Sequence, residues 1–223
     1  MTDSLSLHSG DYVARYNRKS IDRVRNLVAL MDIPDDAKLA DFACGNGMLL
    51  HACGERSGPY HGVDFSGDFI ESARAWAGRE NLRNWQFHCD DIVAFCEANH
   101  QAFDIACTLD FSEHVEDERA IPIYSAIRKS LADGGRLYLH TPNGQFFMER
   151  AKDIGVLKQF PEHVAVRDAR GTIAVLVAAG FPESGVRVRK IAHYNILRFL
   201  HPLASLPGIG KFFEARLLIE ARI

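Results

Sequence analysis

Three stretches of this chain carry residue types whose spacing could do chemistry. The first is Asp41-Phe42-Ala43-Cys44-Gly45-Asn46-Gly47. Gly45 and Gly47 lack a Cβ, so the backbone can turn sharply and let a ligand lie directly against it. Asp41 could accept a hydrogen bond from a cationic amine. The second stretch is acidic: Asp64, 17 residues after Gly47, and then Asp90-Asp91. An acid at Asp64 can take both hydroxyls of a ribose, Phe65 could lie against an adenine face, and Asp91 sets a carboxylate where an adenine amino group needs an acceptor. Two plainer readings stand beside these. Any tight strand-to-helix connection favours glycine, and Asp91 could simply cap the helix after it.

The third stretch is Leu109-Asp110-Phe111-Ser112-Glu113-His114-Val115-Glu116-Asp117. His114 is its central residue. An imidazole titrates near neutrality and could take a proton from a hydroxyl while that oxygen attacks carbon. It could equally bond backbone at a strand end.

The elements that must position these residues are legible from residue 38 onward, where short apolar runs alternate with longer amphipathic segments. That is the pattern of parallel strands joined by crossover helices. Strands are predicted at 38–43, 60–64, 85–89, 103–109 and 135–140, apolar enough to be covered on both faces. Helices are predicted at 48–56, 67–78, 92–99, 117–131 and 168–179, with a turn at Asp133-Gly134-Gly135. Each cluster then falls where a strand ends, which is where an open α/β sheet places its ligand crevice. Upstream, residues 11–30 read as a helix with Ile21, Val24, Leu27 and Val28 on one face. Downstream, 186–194 and 214–222 read as strands. The segment between them, 195–213, is crowded with apolar residues and broken by Pro202, Pro207 and Gly208.

Composition excludes several classes. At 223 residues, with 47% hydrophobic and 25% charged residues, the chain suits one globular domain, not a disordered or fibrous protein. Lys and Arg number 26 against 29 Asp and Glu, a formal net charge of −3, which lacks the broad positive field of a nonspecific nucleic-acid binder. Five cysteines without a Cys-x-x-Cys pair signal neither a disulfide framework nor structural zinc, and they read as reduced thiols of a cytoplasmic protein. The first ten residues lack a signal-peptide pattern, and no apolar run reaches the roughly eighteen residues of a membrane span.

Taken as a set, the glycine turn, Asp64, Asp90-Asp91 and Phe103-Asp104-Ile105-Ala106 resemble the S-adenosylmethionine-dependent methyltransferases of the Rossmann-like class, over residues 37–143. Ala43 stands where that family usually has glycine. The resemblance implies a mostly parallel seven-stranded sheet with an antiparallel last strand and helices on both faces. It implies S-adenosylmethionine as cofactor, with Asp41, Ala43, Cys44, Gly45 and Gly47 along the methionine part, Asp64 on the ribose with Phe65 beside it, and Asp90, Asp91 and Ile92 around the adenine. Leu109 counts to the same cradle, and Tyr12 and Tyr16 could close over the methionine carboxylate with Arg15. The domain then divides into an N-terminal helical cap at 1–36, a cofactor-binding core at 37–143 and an acceptor-side region at 144–223.

Residues 110–115 look like the corresponding part of ubiquinone-biosynthesis O-methyltransferases, where Glu-x-x-Glu-His-Val is found; Asp110 replaces the first Glu. That likeness implies methyl transfer to a hydroxyl oxygen of a small, phenolic or lipid-linked acceptor, with His114 as the catalytic residue. It also implies a divalent-cation site at Asp110, Glu113 and His114. Other acceptors, a nitrogen, a carboxylate or a sugar, fit the same cofactor, as does a noncatalytic nucleoside-binding domain. A nicotinamide dehydrogenase fits poorly, because no third glycine follows Gly45-Asn46-Gly47 to seat a pyrophosphate. His140-Thr141-Pro142-Asn143 reads either as pocket lining or as a turn, and His163 as part of an acceptor lid or as a solvated loop residue. For 195–213 the readings are a lid or pocket wall, a dimer contact, or peripheral contact with a lipid surface.

Overall fold

The computed structural model describes residues 20–54, 58–193 and 196–223. Tyr12, Arg15 and Tyr16, with most of the predicted N-terminal helix, lie outside the described residues; within them Asp22–Val28 forms helix α1. There follow β1 (Leu39–Phe42), α2 (Met48–Cys53), β2 (Tyr60–Asp64), α3 (Gly67–Arg79), β3 (Trp85–Cys89), α4 (Ile92–Ala98) and β4 (Phe103–Leu109). After a 3-10 turn at Ser112–His114 come α5 (Asp117–Ser130), β5 (Leu131–Pro142), α6 (Phe147–Asp153), α7 (Ala169–Ala178), β6 (Val186–Ile191) and β7 (Arg216–Arg222). The seven strands form one sheet in the order β3-β2-β1-β4-β5-β7-β6. β1 pairs parallel with β2, and β2 with β3, whereas β7 runs antiparallel to β5 and β6. The order turns back at β1, so right-handed crossovers carry the connecting helices to both faces.

The chain divides into two compact units, Met1–Cys107 with Lys129–Gly135, and Thr108–Arg128 with Arg136–Ile223. In the first, Leu39, Ala40 and Phe42 of β1 are fully buried, as a central parallel strand requires. Ser66 and Asp91 cap α3 and α4 by accepting backbone N–H bonds, which satisfies donors that the first helical turn leaves open. The second unit packs Tyr124, Ile127, Leu137, Leu139, Leu217 and Ile219, all fully buried.

Two predicted elements differ. β5 begins at Leu131, so Asp133-Gly134 is a bend inside a strand, with Gly134 at φ 75°, and does not precede it. The segment predicted apolar at 195–213 is a pair of 3-10 turns, Ile196–Ser205 and Gly210–Phe213. Pro202 lacks an amide donor, and the glycines favour bends over a continuous helix. Phe199 and Ile209 stand exposed there.

Candidate functional site

In the first unit, the connection after β1 is built from left-handed backbone. Ala43, Gly45 and Gly47 have φ of 55°, 54° and 80°, a region that costs an L side chain about 1–2 kcal/mol. Glycine is required at Gly47 for a second reason, since a Cβ there would meet Phe87 Cζ at 2.8 Å. Gly62 on β2 is equally tight, its Cβ meeting Phe87 Cδ1 at 2.5 Å and Cys44 Sγ at 3.0 Å. The Phe87 ring therefore fills the space that these two glycines leave. Ala43 alone bears the conformational cost. Ala43→Gly is expected to stabilise the protein by a net 0.5–1 kcal/mol or so, after the greater freedom of the unfolded chain is counted. Differential scanning calorimetry should show Tm raised by about 1–4 °C; a lower Tm would mean that the turn is not strained.

Hydrogen bonds tie the strand tips together. Cys44 N–H donates to Val63 O at 3.1 Å and Asp90 N–H to Asp64 O at 3.1 Å. The Asp64 carboxylate, 6% exposed, accepts from Gly45 N–H at 3.0 Å and Ser66 N–H at 2.9 Å. These bonds hold the turn against β2. Phe65, directly after it, is 45% exposed.

Asp41 is buried and accepts from the Tyr60 hydroxyl at 2.7 Å. Burial raises its pKa to about 7 against the lowering effect of that bond, with the Asp64 charge adding to the rise. Burial likewise pushes the Cys44 thiol up. Asp91 is the N-cap of α4, its Oδ1 accepting from Val93 and Ala94 N–H at 2.9 and 3.1 Å, and Asp90 Oδ1 accepts from Asp91 N–H at 2.8 Å. The capping reading of Asp91 is thus realised. Ile92 opens α4 and Leu109 closes β4, both half-buried.

The second unit assembles the residues after β4. Asp110 also takes left-handed backbone, φ 56°, which Asp tolerates better than most residues. Its Oδ1 lies 2.7 Å from Arg216 Nη1 and 2.9 Å from His140 Nδ1. Arg167 clamps the following 3-10 turn, donating to Ser112 O at 2.8 Å, Val115 O at 2.6 Å and Asp117 Oδ1 at 2.7 Å. Glu113 is buried, and its Oε2 accepts from Thr141 Oγ1 at 3.1 Å. Burial and the nearby Asp110 charge raise its pKa to about 8, opposed by Arg216.

His114 Nδ1 lies 2.7 Å from Glu162 O. A carbonyl oxygen only accepts, so Nδ1 carries a hydrogen, and in the neutral ring Nε2 holds the lone pair. The His163 ring stands edge-on to His114, centroids 5.1 Å apart at 87°, half-buried and not a solvated loop side chain. Burial, His114 and Lys152 lower its pKa to about 4. His140 is fully buried. Asn143 donates to Glu214 O at 2.8 Å and accepts from Gln145 N–H at 3.1 Å, a turn in structural use.

Glu113, His114 and His163 each offer a ligand atom within 4.8 Å of the others, a set whose chemistry fits a divalent cation. Asp110 is engaged by Arg216 and His140 instead. Sequence reasoning named Thr141 only as possible pocket lining and did not find Tyr60, Arg167 or Arg216. Each acts across 19 or more positions, and no local pattern announces such a bond.

Residues 39–135 match a family model described as a methyltransferase domain. The chain is similar to the ubiquinone biosynthesis O-methyltransferase of Idiomarina loihiensis, 33% identical over 106 residues that make up 48% of this chain and 42% of that one. It is also similar to the protein of that description from Neisseria meningitidis, 27% identical over 107 residues, 48% and 44% of the two chains. The match thus spans less than half the length of these curated relatives. Among solved structures, a SAM dependent methyltransferase from Archaeoglobus fulgidus superposes with a TM-score of 0.72 over 96% of this chain and 100% of that chain, at 18% identity. The magnesium protoporphyrin IX methyltransferase of Synechocystis with bound SAH gives 0.61 over 91% and 80%, at 22% identity. Residues 39–135 are thus similar to the methyltransferase domain of that family model, and the fold is the Rossmann-like one of these methyltransferase structures.

Proposed function

We propose that the chain transfers the methyl group of S-adenosylmethionine to a hydroxyl oxygen of a small acceptor, leaving S-adenosylhomocysteine. The observation that carries this reading is the cradle at the tips of β1, β2 and β3: left-handed backbone at 43–47, the buried carboxyls of Asp41 and Asp64, and the exposed ring of Phe65. In it Asp41 meets the cofactor's ammonium group, while Ala43, Cys44, Gly45 and Gly47 lie along the methionine chain. Asp64 holds the ribose hydroxyls, and Phe65 covers an adenine face. Asp90, Asp91 and Ile92 complete the adenine end, Leu109 counts to the cofactor-binding residues, and Tyr12 and Tyr16 are assigned to the carboxylate. The acceptor is phenolic or lipid-linked, in keeping with relatives named ubiquinone biosynthesis O-methyltransferase. The exposed side chains of Phe199, Leu206 and Ile209 suit a peripheral lipid contact at a cytoplasmic surface. No helix among the described residues is long and apolar enough to cross a membrane.

Methyl transfer is an in-line displacement. The acceptor oxygen attacks the methyl carbon, the carbon–sulfur bond breaks, and sulfur takes the electron pair to become a thioether. The sulfonium is already activated, so positioning supplies much of the acceleration. The remaining task is the hydroxyl proton. The Glu162 carbonyl fixes His114 in the tautomer whose Nε2 can receive it, and neighbouring Glu113 has its pKa raised by burial and by the Asp110 charge.

Titration calorimetry tests the cofactor assignment. S-adenosylmethionine should bind with micromolar affinity, about −8 kcal/mol, and an ammonium beside Asp41 should lower a pKa that burial holds at about 7. Below that pH the free protein carries the proton and the complex does not. Binding at pH 6 should therefore release up to about one proton, seen as a dependence of the heat on buffer ionisation enthalpy, and at pH 9 none. Asp41→Asn should abolish the release. No binding of the nucleoside at all would overturn the reading.

A further inference from the structure

We infer that Arg167 is the positioning residue of the His114 imidazole. Its guanidinium holds the turn that carries the ring against the loop that anchors the ring, and so decides which ring nitrogen is free to take a proton. The inference deepens the proposed function, and rests on it for the effect on turnover. Residues 162–167 are bonded to the 3-10 turn Ser112–His114 at three successive points. Glu162 O meets His114 Nδ1 at 2.7 Å, Ala165 N–H donates to Glu113 O at 3.0 Å, and Arg167 Nη1 donates to Ser112 O at 2.8 Å.

The first two contacts are single bonds, whereas the third belongs to a planar fork that reaches further. Nη1 also lies 3.3 Å from Ser112 Oγ and 3.3 Å from Ala165 O, Nη2 donates to Val115 O at 2.6 Å, and Nε donates to Asp117 Oδ1 at 2.7 Å. Ser112 and Val115 flank Glu113 and His114, so one rigid group grips both ends of the turn and the loop beside it. The last carbonyls of a helical turn lack partners within it, and a charged donor serves them with bonds about twice as strong as neutral ones. The Arg167 side chain is 9% exposed, but Asp117 is 63% exposed. An ion pair so open to solvent contributes little, which leaves the grip to the carbonyl bonds.

Arg167 can transmit position because its own backbone is fixed. Gly144 N–H donates to Arg167 O at 2.9 Å, and the chains approach so closely there that a Cβ on Gly144 would meet Val166 O at 2.8 Å. The next residue, Asp168, caps α7 by accepting from Gly171 N–H at 2.8 Å, and it accepts from Gln145 Nε2 at 2.9 Å. The consequence falls on the imidazole. In the neutral ring either nitrogen can carry the hydrogen, and the partner of one nitrogen sets the state of the other. Release of the loop takes the Glu162 carbonyl from Nδ1. Nε2 can then hold the hydrogen, and the proton acceptor is lost although His114 is still present.

The experiment uses the full chain with isotope-labelled histidine. Proton–nitrogen correlation spectra at alkaline pH, where imidazoles are neutral, report which nitrogen of each ring carries the hydrogen, and the His114 signal is the one missing from His114→Asn. Wild type should show the hydrogen on Nδ1. In Arg167→Met it should move to Nε2 or average over both, and kcat should fall about 10²-fold, the cost of a misplacement of about 1 Å at a reacting group. The affinity for S-adenosylhomocysteine should change by less than about threefold. Arg167→Lys keeps the charge beside Asp117 but offers a point donor in place of a fork, so it should lose the tautomer and the rate as Met does, and it carries the test if Arg167→Met fails to fold. A lowered Tm with the wild-type tautomer and rate in the folded variants would overturn the inference and make Arg167 a purely structural tie. Binding of S-adenosylhomocysteine separates the two ideas. An Arg167-dependent tautomer in a protein that binds no nucleoside removes the methyl-transfer reading and leaves the positioning of His114, whereas normal binding and turnover with a tautomer indifferent to Arg167 removes this inference alone.

Discussion

His114→Ala is expected to lower kcat by about 10²–10⁴-fold, the usual worth of a positioned proton acceptor, while the affinity for S-adenosylhomocysteine changes by less than about threefold. The separation follows from where its bonds lie. His114 is anchored to Glu162 and packed against His163, within the second compact unit, whereas the cradle residues from Asp41 to Asp91 belong to the first. Alanine also removes the Glu162 hydrogen bond, so a lower rate could come from a displaced loop. His114→Asn controls for that, because its amide N–H can replace the Nδ1 donor while offering no basic nitrogen. A rate as low in Asn as in Ala assigns the loss to the Nε2 lone pair. Recovery in Asn would assign it to the loop, and a loss of nucleoside affinity in both would make His114 structural. Turnover is read with catechol-type acceptors, and binding by calorimetry.

How far the sequence exposes this architecture depends on the range of the interaction concerned. β2, β3 and β4 occupy the predicted residues 60–64, 85–89 and 103–109; β2 and β4 are mostly buried, as strands covered on both faces must be, whereas the edge strand β3 buries only Phe87 and is not covered as expected. The cradle is legible for a similar reason, its glycines marking where the backbone turns left-handed. Ala43 shows the limit. Its φ of 55° is invisible in an alanine and becomes apparent only from the geometry. Harder still are bonds between distant side chains. Arg216 reaches Asp110 across 106 positions, Arg167 reaches Ser112 across 55 and His114 reaches the Glu162 carbonyl across 48. No periodicity encodes such pairs, so the sequence suggests Asp110 as a metal ligand beside Glu113 and His114, and the fold commits it to an arginine. The 195–213 segment is illegible for the opposite reason. Its apolar residues, Leu200, Leu203 and Leu206 among them, recur at helical spacing, yet Pro202, Pro207 and Gly208 break whatever element they begin.

Asp64→Asn should weaken S-adenosylhomocysteine about 100-fold, the value of roughly 3 kcal/mol in charge-assisted bonds to two ribose hydroxyls. It should also lower stability, because Asp64 accepts from both Gly45 and Ser66 N–H and an asparagine must aim an amide donor at one of them. The two effects need separating, since a loosened turn would weaken every part of the ligand. A nucleoside lacking its 2′-hydroxyl does so. If the carboxylate holds the ribose, the deoxy ligand binds wild type about tenfold more weakly yet loses almost nothing further in Asp64→Asn, a non-additive cycle. If the substitution acts only through the turn, the losses from the deoxy ligand and from the asparagine add. Equal affinity of wild type and variant for the full nucleoside would remove Asp64 from the ligand altogether and leave it as the tie between the glycine turn and β2.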